Sequence, residues 1–230
     1  SEISLPIYDP VPLRPNDPVP LRPNDPITAC PIPYNDCDLE YVCPKIIEIT
    51  HCSEGGIKGY TTYQLSLIIK NSLVKNLYAV FGSMSDNARM IIPPAFQVHG
   101  IFGSNIGGVP QDIINIQSES RYDSWLTIGL TNGDPNDQLA NIGIPFETWS
   151  EDTPMNIDNG AVFVMDPEEI IVSGDEYIIG QITIPSDVSQ TMIVNVQGKL
   201  NCYRCKDNKW TQLMIQFDIN PPEPVDPNMI

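Results

Sequence analysis

An all-β body, an antiparallel β-sandwich or jelly roll with an extended Pro-rich N-terminal arm, is the fold class that this 230-residue sequence predicts. Three observations carry it. Short runs of alternating apolar and polar residues recur between Gly, Pro and Asn punctuation from Lys45 to Ile219. No helix-period segment of three turns occurs. The octapeptide Pro-Val-Pro-Leu-Arg-Pro-Asn-Asp stands twice in tandem from Pro10 to Asp25. Composition divides the chain into residues 1–29 as the arm, 30–54 as a Cys-rich segment stapled by disulfides, 55–220 as the β-sandwich, and 221–230 as a Pro-rich tail.

In chain order, Ser1 to Asp9 place Ile3, Leu5 and Ile7 on one face, the alternation of a short half-buried strand with no local partner. Prolines at 10, 12, 15, 18, 20, 23 and 26 then fix φ, remove amide donors and exclude helix. As a polyproline II rod the two octads reach about 50 Å. Leu13 and Leu21 share a face on a β-like path and are turned apart by about 120° in a polyproline helix. Two roles stay open for the segment. It is a spacer, or it docks on a neighbouring copy with Leu13 and Leu21 as anchors and Arg14 and Arg22 facing acidic side chains.

The six cysteines, Cys30, Cys37, Cys43, Cys52, Cys202 and Cys205, are even in number, and four fall in a span too short to build its own core. They read as an oxidised, extracellular disulfide framework whose pairing the sequence leaves open. Cys202-Tyr203-Arg204-Cys205 has the Cys-x-x-Cys spacing of redox motifs, but it falls in an expected turn between strands and so reads as structural. The sequence starts at Ser1, as a processed secreted chain would, which suggests a removed signal peptide.

From Tyr60 to Lys70 the residues Tyr63, Leu65, Leu67 and Ile69 alternate with Thr62, Gln64 and Ser66. Further strands are expected at Val74–Phe81, Ala95–Phe102, Asp112–Gln117 and Tyr122–Leu130. Thr131 to Asn159 reads as loop with one short helical turn. Strands resume at Ala161–Met165, Glu176–Ile184, Thr191–Leu200 and Trp210–Ile219. In the last, Thr211, Leu213, Ile215, Phe217 and Ile219 form one face against Trp210, Gln212, Met214, Gln216 and Asp218.

Twelve Lys and Arg against 29 Asp and Glu leave a net charge of −17, which argues against nucleic acid and anionic membranes as partners. The uncharged run around Pro93 and Pro94 is broken by those prolines and by glycines, so it is not a membrane span. His51 and His99 stand in no metal-ligand spacing. No nucleophile elbow or phosphate loop is present, so neither an enzyme nor a cofactor is expected. The acid pairs Glu147 and Glu151, and Glu168 and Glu169, carry no weight among so many carboxylates. Asn132, Asp134, Asn136 and Asp137 offer oxygens at nearly alternating positions, a candidate calcium loop that lacks the glycine and distal glutamate of an EF-hand; a solvated turn is the plainer reading. Trp125, Trp149 and Tyr122 are a candidate sugar platform, set against ordinary burial in a sandwich core. No Asn-x-Ser/Thr sequon occurs, and Pro, Ser and Thr of the arm offer sites for O-linked glycans.

The tandem octad, the cysteine cluster after it, Tyr122-Asp123-Ser124-Trp125-Leu126-Thr127-Ile128-Gly129 and Asp158-Asn159-Gly160-Ala161-Val162-Phe163 together resemble secreted β-domain proteins of algae and other aquatic microbes, and subunits of extracellular fibrils from such sources. The resemblance spans Gly55 to Ile184 and the design of the arm. It implies a secreted structural protein that polymerises, with glycans on the arm, and it carries over no functional residue. The expected function is a subunit of a self-assembling extracellular filament, a helical or linear homo-oligomer in which Ile3, Leu5 and Ile7 enter a neighbour's sheet edge. The alternative is a secreted, lectin-like sandwich that binds carbohydrate with calcium.

Overall fold

Runs of β-branched and aromatic residues with period-2 burial fold into two antiparallel sheets. A computed structural model describes residues 37–50, 56–84, 87–172, 174–202 and 208–220. The chain divides into two units, Ser1–Cys30 and Pro31–Ile230, and all described residues belong to the second. The strands are β1 (Val42–Thr50), β2 (Tyr60–Ile69), β3 (Val74–Ser83), β4 (Met90–Ile92), β5 (Trp125–Leu126), β6 (Leu139–Ile142), β7 (Met155–Ile157), β8 (Asn159–Val164), β9 (Glu176–Pro185), β10 (Gln190–Leu200) and β11 (Lys209–Ile219). One sheet runs β1-β2-β9-β5. The other runs β6-β8-β3-β10-β4-β7, with β11 also paired to β10. The fold is an all-β sandwich, as the sequence predicts.

A strand has two edges. β11 pairs along one edge of β10, from Gln190↔Ile219 to Lys199↔Lys209. β3 and β4 therefore share the other, β3 along Asn195–Leu200 and β4 at Ile193. The core includes Leu65, Leu67 and Ile182 of the smaller sheet and Val80, Met192, Val194 and Phe217 of the larger, all buried. On the far face of β2 the hydroxyls of Thr62 and Thr183 pair at 2.8 Å, and Ser66 donates to Glu176 at 2.6 Å. A central strand thus buries polar residues only with partners.

Several expected elements differ. β1 lies within the span assigned to the Cys-rich segment, because Ile46 and its neighbours supply enough apolar surface to pair with β2 from Val42↔Ile69 onward. Ala95–Phe102 forms no strand. It is extended but takes single backbone bonds, Ala95 N–H to Ser150 O and Phe96 N–H to Thr183 O, and ends in a 3-10 turn, Gly100–Phe102. Asp112–Gln117 is instead the helix α1 (Gln111–Ile116), started by Pro110, whose carbonyl accepts the Ile113 and Ile114 amides. Only Trp125–Leu126 of Tyr122–Leu130 is paired as a strand. Within the expected loop 131–159 lie β6, a 3-10 turn at Phe146–Thr148, and β7.

The faces of β11 are also not as the alternation predicts. Trp210 is buried together with Ile215, Phe217 and Ile219, whereas Thr211 is exposed. The register passes from Val194↔Ile215 to Val196↔Gln212, so Leu213 and Met214 both stand opposite Asn195. This is a β-bulge, and the extra residue inverts the inward parity beyond it. Met214 adopts φ 55°, in the left-handed region. Its side chain is half exposed, so Met214→Gly removes little burial and relieves the backbone. That substitution is expected to raise the urea midpoint, by a stability gain of up to about 1 kcal/mol.

Candidate functional site

The concave surface of the sandwich is built by loops that buried polar residues hold in place. Between Ala95 and Asn105 the chain doubles back: the amides of Val98 and Ser104 both donate to the Asp123 carboxylate, at 2.7 and 2.6 Å. At Gly103 the two limbs of the loop come together so closely that a Cβ would lie 1.8 Å from the Val98 carbonyl oxygen. Only glycine fits there. Facing this loop stand Asn141 of β6 and the turn Phe146–Thr148. Between them is a cleft of about 370 Å³, lined chiefly by polar groups that include Gln97, His99, Ser104, Asn105, Asn141 and Glu147. Ile144, Phe146 and Trp149 complete the lining, the last two with rings tilted at 6.4 Å.

Asp123 is the ionisable group behind the cleft wall. Burial pushes its carboxyl up to about 7, against the opposing pull of the Val98, Ser104 and Ser124 amides, which favour the ionised form. The residues after it hold the loop to the smaller sheet. Gln181 of β9 donates from Nε2 to the carbonyls of Arg121 and Asp123, at 2.9 and 2.8 Å. Ser124 Oγ accepts the Thr183 amide at 2.9 Å, and Thr127 Oγ1 donates to Leu130 O at 2.6 Å. Gly129 has φ 83° and packs against Val172. The polar members of Tyr122–Gly129 therefore add to the backbone bonds that the Thr127 and Gly129 amides make to Ile179 and Ile178 of β9. Their work is structural support for the Gln97–Asn105 loop, a role that reading the segment as a strand misses.

Of the residues singled out in sequence, the structure brings few together. Cys37 and Cys43 form a disulfide with Cα atoms 5.7 Å apart. Cys202 is disulfide-bonded as well, with its partner outside the described residues. Cys30, Cys52, Cys205 and His51 lie outside the described residues. So do Ile3, Leu5, Ile7, Leu13, Arg14, Leu21 and Arg22.

Trp125 and Trp149 are buried, and Trp149 Nε1 donates to Pro93 O at 2.8 Å. The three-ring sugar platform is therefore not formed: two of its rings are core. In the candidate calcium loop, Asp134 spends its two carboxylate oxygens on the amides of Gln138 and Leu139, at 2.9 and 2.7 Å. Asn132 Oδ1 accepts the Gln111 amide at 2.6 Å. These oxygens fold the turn rather than face a cation, and no group of three or more His, Cys, Asp or Glu side chains among the described residues is placed to hold a metal.

The acids are also engaged. Glu151 accepts from Tyr60 Oη at 2.7 Å, which with burial pushes that phenol up to about 12. Glu168 bridges Lys75 and Lys199, at 2.6 and 2.9 Å, and their hydrogen bonds hold its carboxyl down at about 2. Glu169 accepts from Gln138 at 2.6 Å. Glu147 alone of the four opens to the cleft.

A second surface feature is the rim where β1 and β11 lie against each other. Each is the outermost strand of its sheet on that side. Tyr41 stacks on Trp210 with centroids 5.2 Å apart, and the Glu40 amide donates to Gln212 Oε1 at 3.2 Å, which closes one end of the rim. Along its outer edge β11 pairs with no strand among the described residues. The fold is thus an all-β sandwich that, among the described residues, carries a polar cleft and a long outer edge of β11 paired with no strand. Comparison with protein-family models, with curated proteins and with solved structures found no match.

Proposed function

We propose that the protein is a structural subunit of a self-assembling extracellular filament, in which the N-terminal segment of one copy adds to the outer edge of β11 in the next. The observation that carries this reading is that edge, which pairs with no strand among the described residues beyond the end that Tyr41 and Glu40 close, in a chain whose first residues have the alternation of an amphipathic strand ahead of a Pro-rich repeat. An open edge is a template for strand addition. Cys37, the first described residue, is bound to Cys43 of β1, so the chain enters the sandwich beside the same rim. A segment that leaves one copy and occupies a different surface of another is the heterologous contact that linear or helical assembly requires.

Disulfides at Cys37–Cys43 and Cys202 fit an oxidising compartment, which supports the extracellular setting. Burying Ile3, Leu5 and Ile7 contributes on the order of 5 to 8 kcal/mol before association entropy is charged. Pro6 has no amide donor, so only one side of the added strand pairs, and side-chain packing contributes more than the backbone ladder. O-linked glycans on the arm are compatible with this scheme, because only the first residues enter the neighbour.

Deletion of Ser1 to Asp9 is expected to abolish filaments in negative-stain electron microscopy while leaving the far-UV circular dichroism of the sandwich unchanged. Filaments of unchanged stability in the truncated protein would transfer the contact to Leu13 and Leu21 or to the sandwich faces and overturn the strand-addition scheme.

A further inference from the structure

We propose that the cleft between the Gln97–Asn105 loop and β6 binds a neutral saccharide, an activity separate from assembly. The observations that point there are the chemistry of its lining and one unsatisfied group. Gln97 lines the cleft, and its amide nitrogen is buried without a hydrogen-bond partner among the described residues. A buried donor left unpaired is costly, so this side chain gains from any rearrangement that brings it an acceptor oxygen.

The lining excludes other classes of ligand in turn. Among the described residues that form it there is no Lys or Arg, and the whole chain carries a net charge of −17, so phosphates, sulfates and carboxylates are repelled. Glu147 is the one carboxylate of the lining, and no three metal-ligating side chains converge, so a bare divalent cation has too few anionic ligands. The small apolar part of the lining, beside many polar groups, does not suit a lipid or other hydrophobe.

What remains matches vicinal hydroxyls. The carboxamides of Gln97, Asn105 and Asn141 each present a donor and an acceptor in one plane, and Ser104, His99 and Glu147 add further partners. Such a set satisfies a group that both donates and accepts at neighbouring atoms, as a pyranose does. Ile144 and Phe146 supply an apolar patch for the C–H face of a ring. A volume of about 370 Å³ is at the small end of ligand clefts and suits one or two sugar units. The site differs from a platform of exposed tryptophans: hydrogen bonding, not stacking, dominates recognition. The Asp123 clamp and Gly103 fix the loop geometry before any ligand arrives, so little ordering is charged to binding.

The test is isothermal titration calorimetry on the full chain with glucose, galactose, mannose, xylose, N-acetylglucosamine and their homodisaccharides. Sodium phosphate and calcium chloride serve as controls. At least one sugar is expected to give saturable binding with Kd on the order of 1 mM or tighter. Asn141→Ala, at an exposed position, and Gln97→Leu are each expected to weaken it by about tenfold or more, with unfolding midpoints measured alongside to verify the fold. No saturable heat with any sugar, saturable binding of phosphate or calcium in their place, or sugar binding that neither substitution changes would each overturn the assignment. The outcome is independent of filament formation, because the cleft and the β11 edge share no residue.

Discussion

Replacing Asn195 by alanine is expected to lower the unfolding free energy by about 3 to 5 kcal/mol, a large part of the total for a domain of this size. Asn195 is fully buried in the middle of β10 and joins both of its edges. On one side its Nδ2 donates to Phe81 O at 2.9 Å and Ala88 O at 2.7 Å, where β3 leaves the sheet and β4 takes over the edge. On the other its Oδ1 accepts the Met214 amide at 2.9 Å, inside the bulge of β11. Alanine leaves the Met214 amide and the Phe81 carbonyl without this partner and opens a small cavity between the strands. Asn195→Asp is expected to be worse, since it keeps the acceptor for Met214 but turns oxygen toward two carbonyls and buries a charge. Urea unfolding measures both. A loss below about 1 kcal/mol for the alanine variant would show that water or relaxed backbone replaces the amide, and that the bulge does not depend on it.

The second large effect is a dependence of stability on pH that belongs to Asp123. Its carboxyl titrates at about 7 in the folded protein, well above the ordinary value of 3.8, because burial outweighs the amides that favour its charge. The native state therefore holds more protons than the unfolded chain between these values. Stability from this group is fully present below about pH 4 and is lost as pH rises through about 7, on the order of 4 kcal/mol across the window. Glu168, held down at about 2 by Lys75 and Lys199, and Glu176, also lowered, act in the opposite sense. Their contributions are lost only as pH falls through and below the normal carboxylate range. Urea midpoints between about pH 5 and 8 thus report mainly on Asp123 and are expected to fall with pH. Asp123→Asn flattens that slope. It also costs about 1 to 3 kcal/mol at low pH, because its Oδ1 accepts one of the two loop amides while its NH2 confronts the other. Equal slopes in the variant and the parent would assign the pH dependence to other groups.

The strands that the sequence reveals best are those whose alternation is uninterrupted over many residues. β2, β9 and β10 fall within a residue or two of their expected ends, because one face of each meets the core along its whole length. Short elements are less legible. β4, β5 and β7 have two or three residues each, too few for periodicity, and exist because a longer neighbour offers an edge. α1 carries Ile113, Ile114 and Ile116, a pattern that fits strand and helix alike, and the helix forms behind Pro110, its N-cap, whose carbonyl accepts the Ile113 and Ile114 amides. The candidate cleft is less legible still. His99, Glu147 and Trp149 attract notice singly, whereas Gln97, Asn105 and Asn141 are ordinary amides in sequence and become a site only when loop and strand meet.

The sequence by itself determined the class of the fold, since period-2 alternation acts locally, through backbone sterics and the side of the chain that each residue faces. Only the tertiary structure decided which polar residues are partners. In sequence Asn195 stands between Val194 and Val196, and Asp123 lies in the polar stretch Ser118 to Ser124, and neither position reveals its partners. One staples three strands and the other clamps a loop behind a cleft, because their hydrogen-bond partners are 19 to 114 residues away along the chain. The β11 bulge is likewise invisible to alternation: one residue at positive φ inverts the faces, and what holds it there is an amide from the neighbouring strand.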